Sequence, residues 1–316
     1  MTHTRRHLLR TASVAGTAGL ALSLASPASA AGKRRGLPTF VFVTGASGTA
    51  SGDPELTMRG YRTVGVELPG HGPSAGQFDA AYQAPQDLEA LAVRSSPMAT
   101  VTLDDFEAAT VAVIRRVARL GPVIVVGSSM GGATLNRVGN AVPHLIDHLV
   151  YDAAFCPSKL PTVVDCLAAP EGATSKGDAL IQAAVGDPAV IGATRINWRL
   201  GGTKFLAEAK EALAGDSTDG EFLAFLNASQ PDESVEVPLA DCAIDPARWG
   251  RIPRTYVRHT LDQLIPLALQ TRMIRDADAL TRRSRFTVHD VATAHLASPA
   301  RWAEIVDLLD TIARRL

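Results

Sequence analysis

The sequence predicts a doubly wound, mostly parallel α/β sheet with a helical cap inserted into it, and three observations carry that prediction. Runs of branched apolar residues at 39–44, 61–68, 123–126, 148–154, 254–259 and 285–289 are continuous rather than alternating, as strands covered on both faces require. Segments with helical spacing lie between them. A glycine-flanked serine, in the run Gly127, Ser128, Ser129, Met130, Gly131, stands where an apolar strand gives way to a helix.

In chain order, residues 1–30 read as an export signal. The segment TRRHLLR at 4–10 holds paired arginines, an Ala, Gly, Leu and Ser run fills 11–26, and Ala28, Ser29 and Ala30 offer a small-residue cleavage site that leaves Ala31 as the new N-terminus. The run is too short and too rich in Ala and Gly for a stable membrane span, which needs about 20 apolar residues. The expected route is twin-arginine export, the expected location is outside the cell, and the protein is expected to fold before it leaves.

Loss of Arg5, Arg6 and Arg10 with the signal takes the formal charge from −1 to −4, and no basic patch suggests nucleic acid. The hydrophobic fraction of 46% suffices for a substantial core. Cys156, Cys166 and Cys242 are too few for a disulfide scaffold, although export permits one bridge of unassigned pairing. They are expected to stabilise the insert that begins at residue 156.

The core is assigned to 31–155 and 251–316. After the first strand at 39–44, a turn-rich stretch leads to the second apolar run, which ends in the loop PGHGP at 69–73. Thr102 and Asp105 form a capping-box start for a helix striped by Phe106, Ala109, Val113, Val117 and Leu120, stopped by Gly121 and Pro122. Residues 156–250 interrupt the strand–helix rhythm with helical pieces around Val163, Ala179, Leu206 and Phe222. A cap over the carboxyl edge of the sheet is the expected role, because ligands of open α/β sheets bind there. A helix from about Pro266, a last strand, and a closing helix begun by Ser298 and Pro299 complete the chain.

The glycine spacing selects Ser129 over its neighbour Ser128 as a nucleophile. A serine hydroxyl is weakly nucleophilic until a base takes its proton, so a histidine and an orienting carboxylate are required. His71 lies in a turn, His144 and His148 flank a strand as surface or packing residues, and His289 falls within or at the end of the last strand. His295, in the loop after that strand, has the reach a base needs. The order serine, acid, histidine selects Asp262, which follows the strand at 254–259; Asp152 and Asp290 read as local hydrogen-bond partners. Two backbone donors of an oxyanion hole are expected from Met130, after the nucleophile, and Ala46, after the first strand, with Thr44, Gly45, Ser47 and Ser128 lining the pocket.

These residues carry a resemblance. TGAS at 44–47, ELPGHG at 67–72, GSSMGG at 127–132, WGRIPRTYVRHTLDQLIPLALQTRMI at 249–274 and HDVATAHLASPARWAEIVDLL at 289–309 are similar to the α/β-hydrolase family, within it to plant methylesterases, hydroxynitrile lyases and their bacterial relatives. The likeness spans residues 38–316 and is weakest in the cap. It implies Ser129 as nucleophile, His295 as base, Asp262 as its orienter, and Ala46 with Met130 as oxyanion donors. Two departures alter the pocket: Thr44 stands where the family usually has histidine before the first glycine, and Ser128 where it usually has histidine before the serine. The lyases add a lysine after the catalytic histidine and a threonine after the first-strand histidine, positions held here by Leu296 and Gly45.

The expected activity is hydrolysis of a small carboxylic ester or lactone through an acyl-enzyme, with no cofactor and no metal. Two alternatives remain open in the sequence: the same triad performing cyclisation, acyl transfer or elimination, and a non-catalytic small-molecule receptor.

Overall fold

A computed structural model describes residues 36–49 and 51–316; the export signal expected at 1–30 lies outside the described residues. Six parallel strands form one sheet, β1 (Thr39–Val43), β2 (Arg62–Gly65), β3 (Val123–Ser128), β4 (His148–Asp152), β7 (Arg254–His259) and β8 (Thr287–Val291), in the order β2-β1-β3-β4-β7-β8. Between β4 and β7 the chain forms α5 (Val163–Ala168), α6 (Asp178–Ile181), α7 (Pro188–Ile191), α8 (Thr203–Ala214) and α9 (Asp219–Ala228). A two-stranded antiparallel sheet of β5 (Ala193–Arg195) and β6 (Asp232–Ser234) lies among them. The core helices are α1 (Pro54–Met58), α2 (Leu88–Val93), α3 (Leu103–Val117), α4 (Gly131–Ala141), α10 (Leu267–Leu280) and α11 (Pro299–Ala313).

The continuous apolar runs follow from burial on both faces. In β3, Val123 and Val125 join the cluster that includes Ile114 of α3, Leu135 of α4 and Met273 of α10. Ile124 and Val126 point the other way, into the cluster with Leu56 of α1 and Ile305, Val306 and Leu309 of α11. A third cluster around Phe205, Leu213, Phe222 and Trp198 belongs to the insert. No helix among the described residues is long and apolar enough to cross a membrane.

Several expectations shift. The last strand starts at Thr287, two residues late, because Phe286 turns into the core with its N–H on Asp278 Oδ1 at 2.9 Å, and the exposed edge strand β8 carries little apolar pattern. The helix after Thr102 has its capping box, but Ile114 and Thr110 occupy its buried face while Leu120 lies beyond its end, half exposed. Helix α1 starts where the turn-rich stretch ends and has no counterpart in the sequence reading: Asp53 caps it through Leu56 N at 2.7 Å, with Pro54 at the first position. The cysteines correct an expectation outright. All three are free, buried thiols of the cluster that includes α3, α4 and α10, and burial raises Cys166 and Cys242 to about 12, so no bridge staples the insert.

A pH dependence follows from His148 at the start of β4, whose Nε2 lies 2.9 Å from Thr255 Oγ1. Burial, reinforced by Arg315, lowers its pKa from 6.5 to about 4. Its contribution to stability is full above 6.5, where the ring is neutral folded or unfolded, and is lost as pH falls toward 4. The loss is about 3 kcal/mol by linkage. Urea midpoints should fall across that window, and His148→Gln should flatten the fall; an equal fall in the variant contradicts the assignment.

Candidate active site

The turn that carries Ser129, the candidate nucleophile, is tighter than the sequence suggests. Gly127 and Ser128 still belong to β3, and Gly131 already opens α4, so the reversal rests on Ser129 and Met130. Ser129 adopts φ 53, the left-handed region that costs a non-glycine residue of order 1 kcal/mol or more. Its backbone is held in place by donation from Ser129 N to Asp152 O (3.3 Å) and by its carbonyl, which accepts from Phe155 N (2.9 Å) and Gly132 N (3.1 Å). Gly131 is needed for approach: a Cβ there would sit 2.7 Å from the carbonyl oxygens of Val43 and Thr44. A Cβ on Gly45 would meet Ser129 Cβ at 2.6 Å, so the loop after β1 packs directly on the turn.

The structure brings together the three residues selected from chain order. Ser129 Oγ lies 2.9 Å from His295 Nε2, and His295 Nδ1 lies 2.8 Å from Asp262 Oδ2. His295 and Asp262 are buried at 7% and 4% exposure, so little solvent competes for these bonds. The other Asp262 oxygen accepts from Leu264 N and Ile265 N, each at 2.8 Å, which fixes the carboxylate toward the ring. An acceptor-only carboxylate requires the proton on Nδ1, leaving Nε2 free to accept from the serine hydroxyl.

Ala46, Met130, Gly45, Ser47 and Ser128 line one cavity of about 660 Å³ with Ser129 and His295. Neither the Ala46 nor the Met130 N–H is taken up by a turn or loop hydrogen bond among the described residues. Thr44, expected in the lining, is not among the cavity residues; its Oγ1 is buried without a partner. His289 and Asp290 lie on the exposed edge strand, where Asp290 pairs with Arg258.

Behind the histidine stands a pair that sequence reasoning did not assemble. Asp152 Oδ1 lies 3.0 Å from His259 Nε2, its Oδ2 accepts from Ser128 Oγ at 3.0 Å, and His259 Nδ1 donates to the carbonyls of Ala294 (2.8 Å) and His295 (3.2 Å). Burial disfavours the charged ring, but the Asp152 carboxylate outweighs it and raises the His259 pKa. The insert holds the same loop: Asp216 accepts from Thr293 Oγ1 (2.8 Å) and Ala294 N (3.0 Å), and Leu296 N donates to Leu213 O (2.7 Å). His259 lies at a strand end and Asp216 follows a helix, so only long-range pairing reveals them.

The model of the Alpha/beta hydrolase family matches residues 40–308. Among curated proteins, none matches the chain at a significant level. Similar solved structures include a pyrethroid hydrolase from Sphingobium faniae, 18% identical over 89% of this chain and 98% of that one, with a TM-score of 0.62. Polyneuridine aldehyde esterase is 17% identical over 88% and 99%, with a TM-score of 0.61. An extracellular alpha/beta-hydrolase from a Paenibacillus species, described as sharing homology with tobacco salicylic acid binding protein 2, is 19% identical over 81% and 90%, with a TM-score of 0.55. With a parallel sheet in the order β2-β1-β3-β4-β7-β8 and a family match across nearly its whole described length, the chain belongs to the alpha/beta hydrolase family.

Proposed function

We propose that the protein is an exported serine hydrolase that cleaves a carboxylic ester or lactone through an acyl-enzyme. The observation that carries the reading is the unbroken bond chain from Ser129 Oγ through His295 to Asp262, opening into the large cavity. Ser129 Oγ attacks the carbonyl carbon while His295 Nε2 takes its proton; the carbonyl oxygen becomes the oxyanion, received by the Ala46 and Met130 N–H groups. His295 passes the proton to the departing alcohol as the C–O bond breaks. Water then repeats the attack on the acyl-enzyme, and the acid leaves with Ser129 restored. Asp262 keeps the ring in its tautomer and stabilises the imidazolium. Residues 156–250 act as the cap, contributing Leu213, Phe225, Trp198 and Ile196 to the cavity.

The cavity supports a substrate class. Its walls are largely apolar, and among the described residues its fixed charges are those of Asp178 and Glu233, with neither lysine nor arginine in the lining. A volume of about 660 Å³ suits a bulky neutral ester as well as a small one, while an ester carrying a carboxylate would meet like charge in a desolvated space. A fluorophosphonate probe should label the folded wild type on Ser129, and a neutral ester should be hydrolysed at least about tenfold faster, in kcat/KM, than its counterpart ending in a carboxylate. A folded, unlabelled chain would favour the receptor reading, and equal rates on the two esters would remove the proposed charge selectivity.

A further inference from the structure

We infer that Glu233, on β6 of the insert, is a positioning residue that braces the oxyanion loop, so that the insert sets the geometry of the hole as well as covering the substrate. The inference rests on the hydrolase reading above and adds a residue to it.

The bonds flanking Ala46 carry the argument. Ser47 N donates to Glu233 Oε1, and Ser47 O accepts from Gln230 N at 2.9 Å. Both backbone polar groups of the residue after Ala46 are therefore held by the insert. On the other side, Gly45 O accepts from Gly48 N at 3.3 Å, closing the turn around Ala46. Ser47 has φ 58, a strained conformation for serine that relaxes unless its surroundings impose it. An Ala46 N–H aimed at a developing oxyanion depends on that turn staying in place, since donors work only when preorganised at hydrogen-bond distance.

A carboxylate beside an oxyanion hole would repel the charge it is meant to help, unless that charge is drawn away. His71 supplies the counterweight. Its Nε2 lies 2.7 Å from the same Oε1, and since an ionised carboxylate only accepts, Nε2 carries the proton. The ring is buried, its backbone N donates to Leu68 O at 2.9 Å, and it packs against Phe106 with centroids 5.5 Å apart, so it cannot swing away cheaply. The loop that reads in sequence as a turn, PGHGP, thus delivers a donor to the insert's carboxylate.

The test compares three variants of the full chain on a neutral p-nitrophenyl ester and on a trifluoromethyl ketone that mimics its tetrahedral intermediate. Glu233→Met removes the acceptor at nearly constant volume and is expected to lower kcat about 10- to 100-fold, with KM within about threefold and ketone inhibition weakened by the same factor as kcat. Glu233→Gln keeps an oxygen for Ser47 N and should stay within about threefold of wild type. Amide exchange at Ser47 should lose protection in the methionine variant and keep it in the glutamine variant. Should Glu233→Met not fold, Glu233→Asp retains the charge but withdraws the acceptor by one methylene, and should fall in kcat and ketone affinity together. Ketone affinity unchanged in a folded Met or Asp variant, an effect on KM alone, or a Gln variant as impaired as Met would each overturn the brace. A wild type that neither binds the ketone nor reacts with fluorophosphonate would instead overturn the hydrolase reading.

Discussion

Ser129→Ala is expected to lower kcat for ester hydrolysis by about 10⁵- to 10⁶-fold while leaving the melting temperature near that of the wild type. The size follows from the bond chain. With the hydroxyl gone, the group 2.9 Å from His295 Nε2 is lost, and the residual rate is expected to come from water and the proposed Ala46 and Met130 donors. Members of such a unit are not additive, so His295→Ala in the same background should cost little more. Folding should persist because the turn is built by backbone groups: Ser129 O still accepts from Phe155 N and Gly132 N. A Ser129→Ala protein that keeps one hundredth of the wild-type rate would move the nucleophile elsewhere.

Asp232→Ala is expected to cost about 3–5 kcal/mol of stability, measured as a shift in urea midpoint, because it strands a buried cation. Arg195 and Asp232 face each other across the β5–β6 sheet with two parallel bonds of 2.6 Å, at 1% and 0% side-chain exposure. Arg195 also donates to Leu91 O and to Arg94 O, tying the insert to the segment around α2. Removing the carboxylate leaves the guanidinium with neutral carbonyl partners in a low-dielectric site. Replacing both partners, as Arg195→Met with Asp232→Leu, should recover much of the loss, since an apolar pair of similar volume avoids the desolvation. A single-variant loss below about 1 kcal/mol would show the pair to be solvent-screened. Asp232 adjoins Glu233, so this variant should also disturb the oxyanion loop.

The insert shows where sequence reasoning stops. Its helical pieces around Val163, Ala179, Leu206 and Phe222 all fall within helices. Its two three-residue strands went unnoticed, because a strand so short has no period to read. Yet those strands carry Arg195, Asp232 and Glu233, which join the insert to the core. His71 was legible only as part of a turn, since its partner is 162 residues away.

The sequence by itself determined the parallel sheet, the serine turn, and the triad candidates, because strand burial on both faces, glycine at close approach and chain order leave local marks. Tertiary structure alone decided what holds them. The Asp152–His259 pair behind His295, the Asp216 grip on residues 293–294, and the Glu233–His71 contact at Ser47 join residues far apart in the chain. Such bonds depend on where the sheet edge and the insert meet in space, and a carboxylate or imidazole carries no mark in its own neighbourhood of the partner that folding will bring.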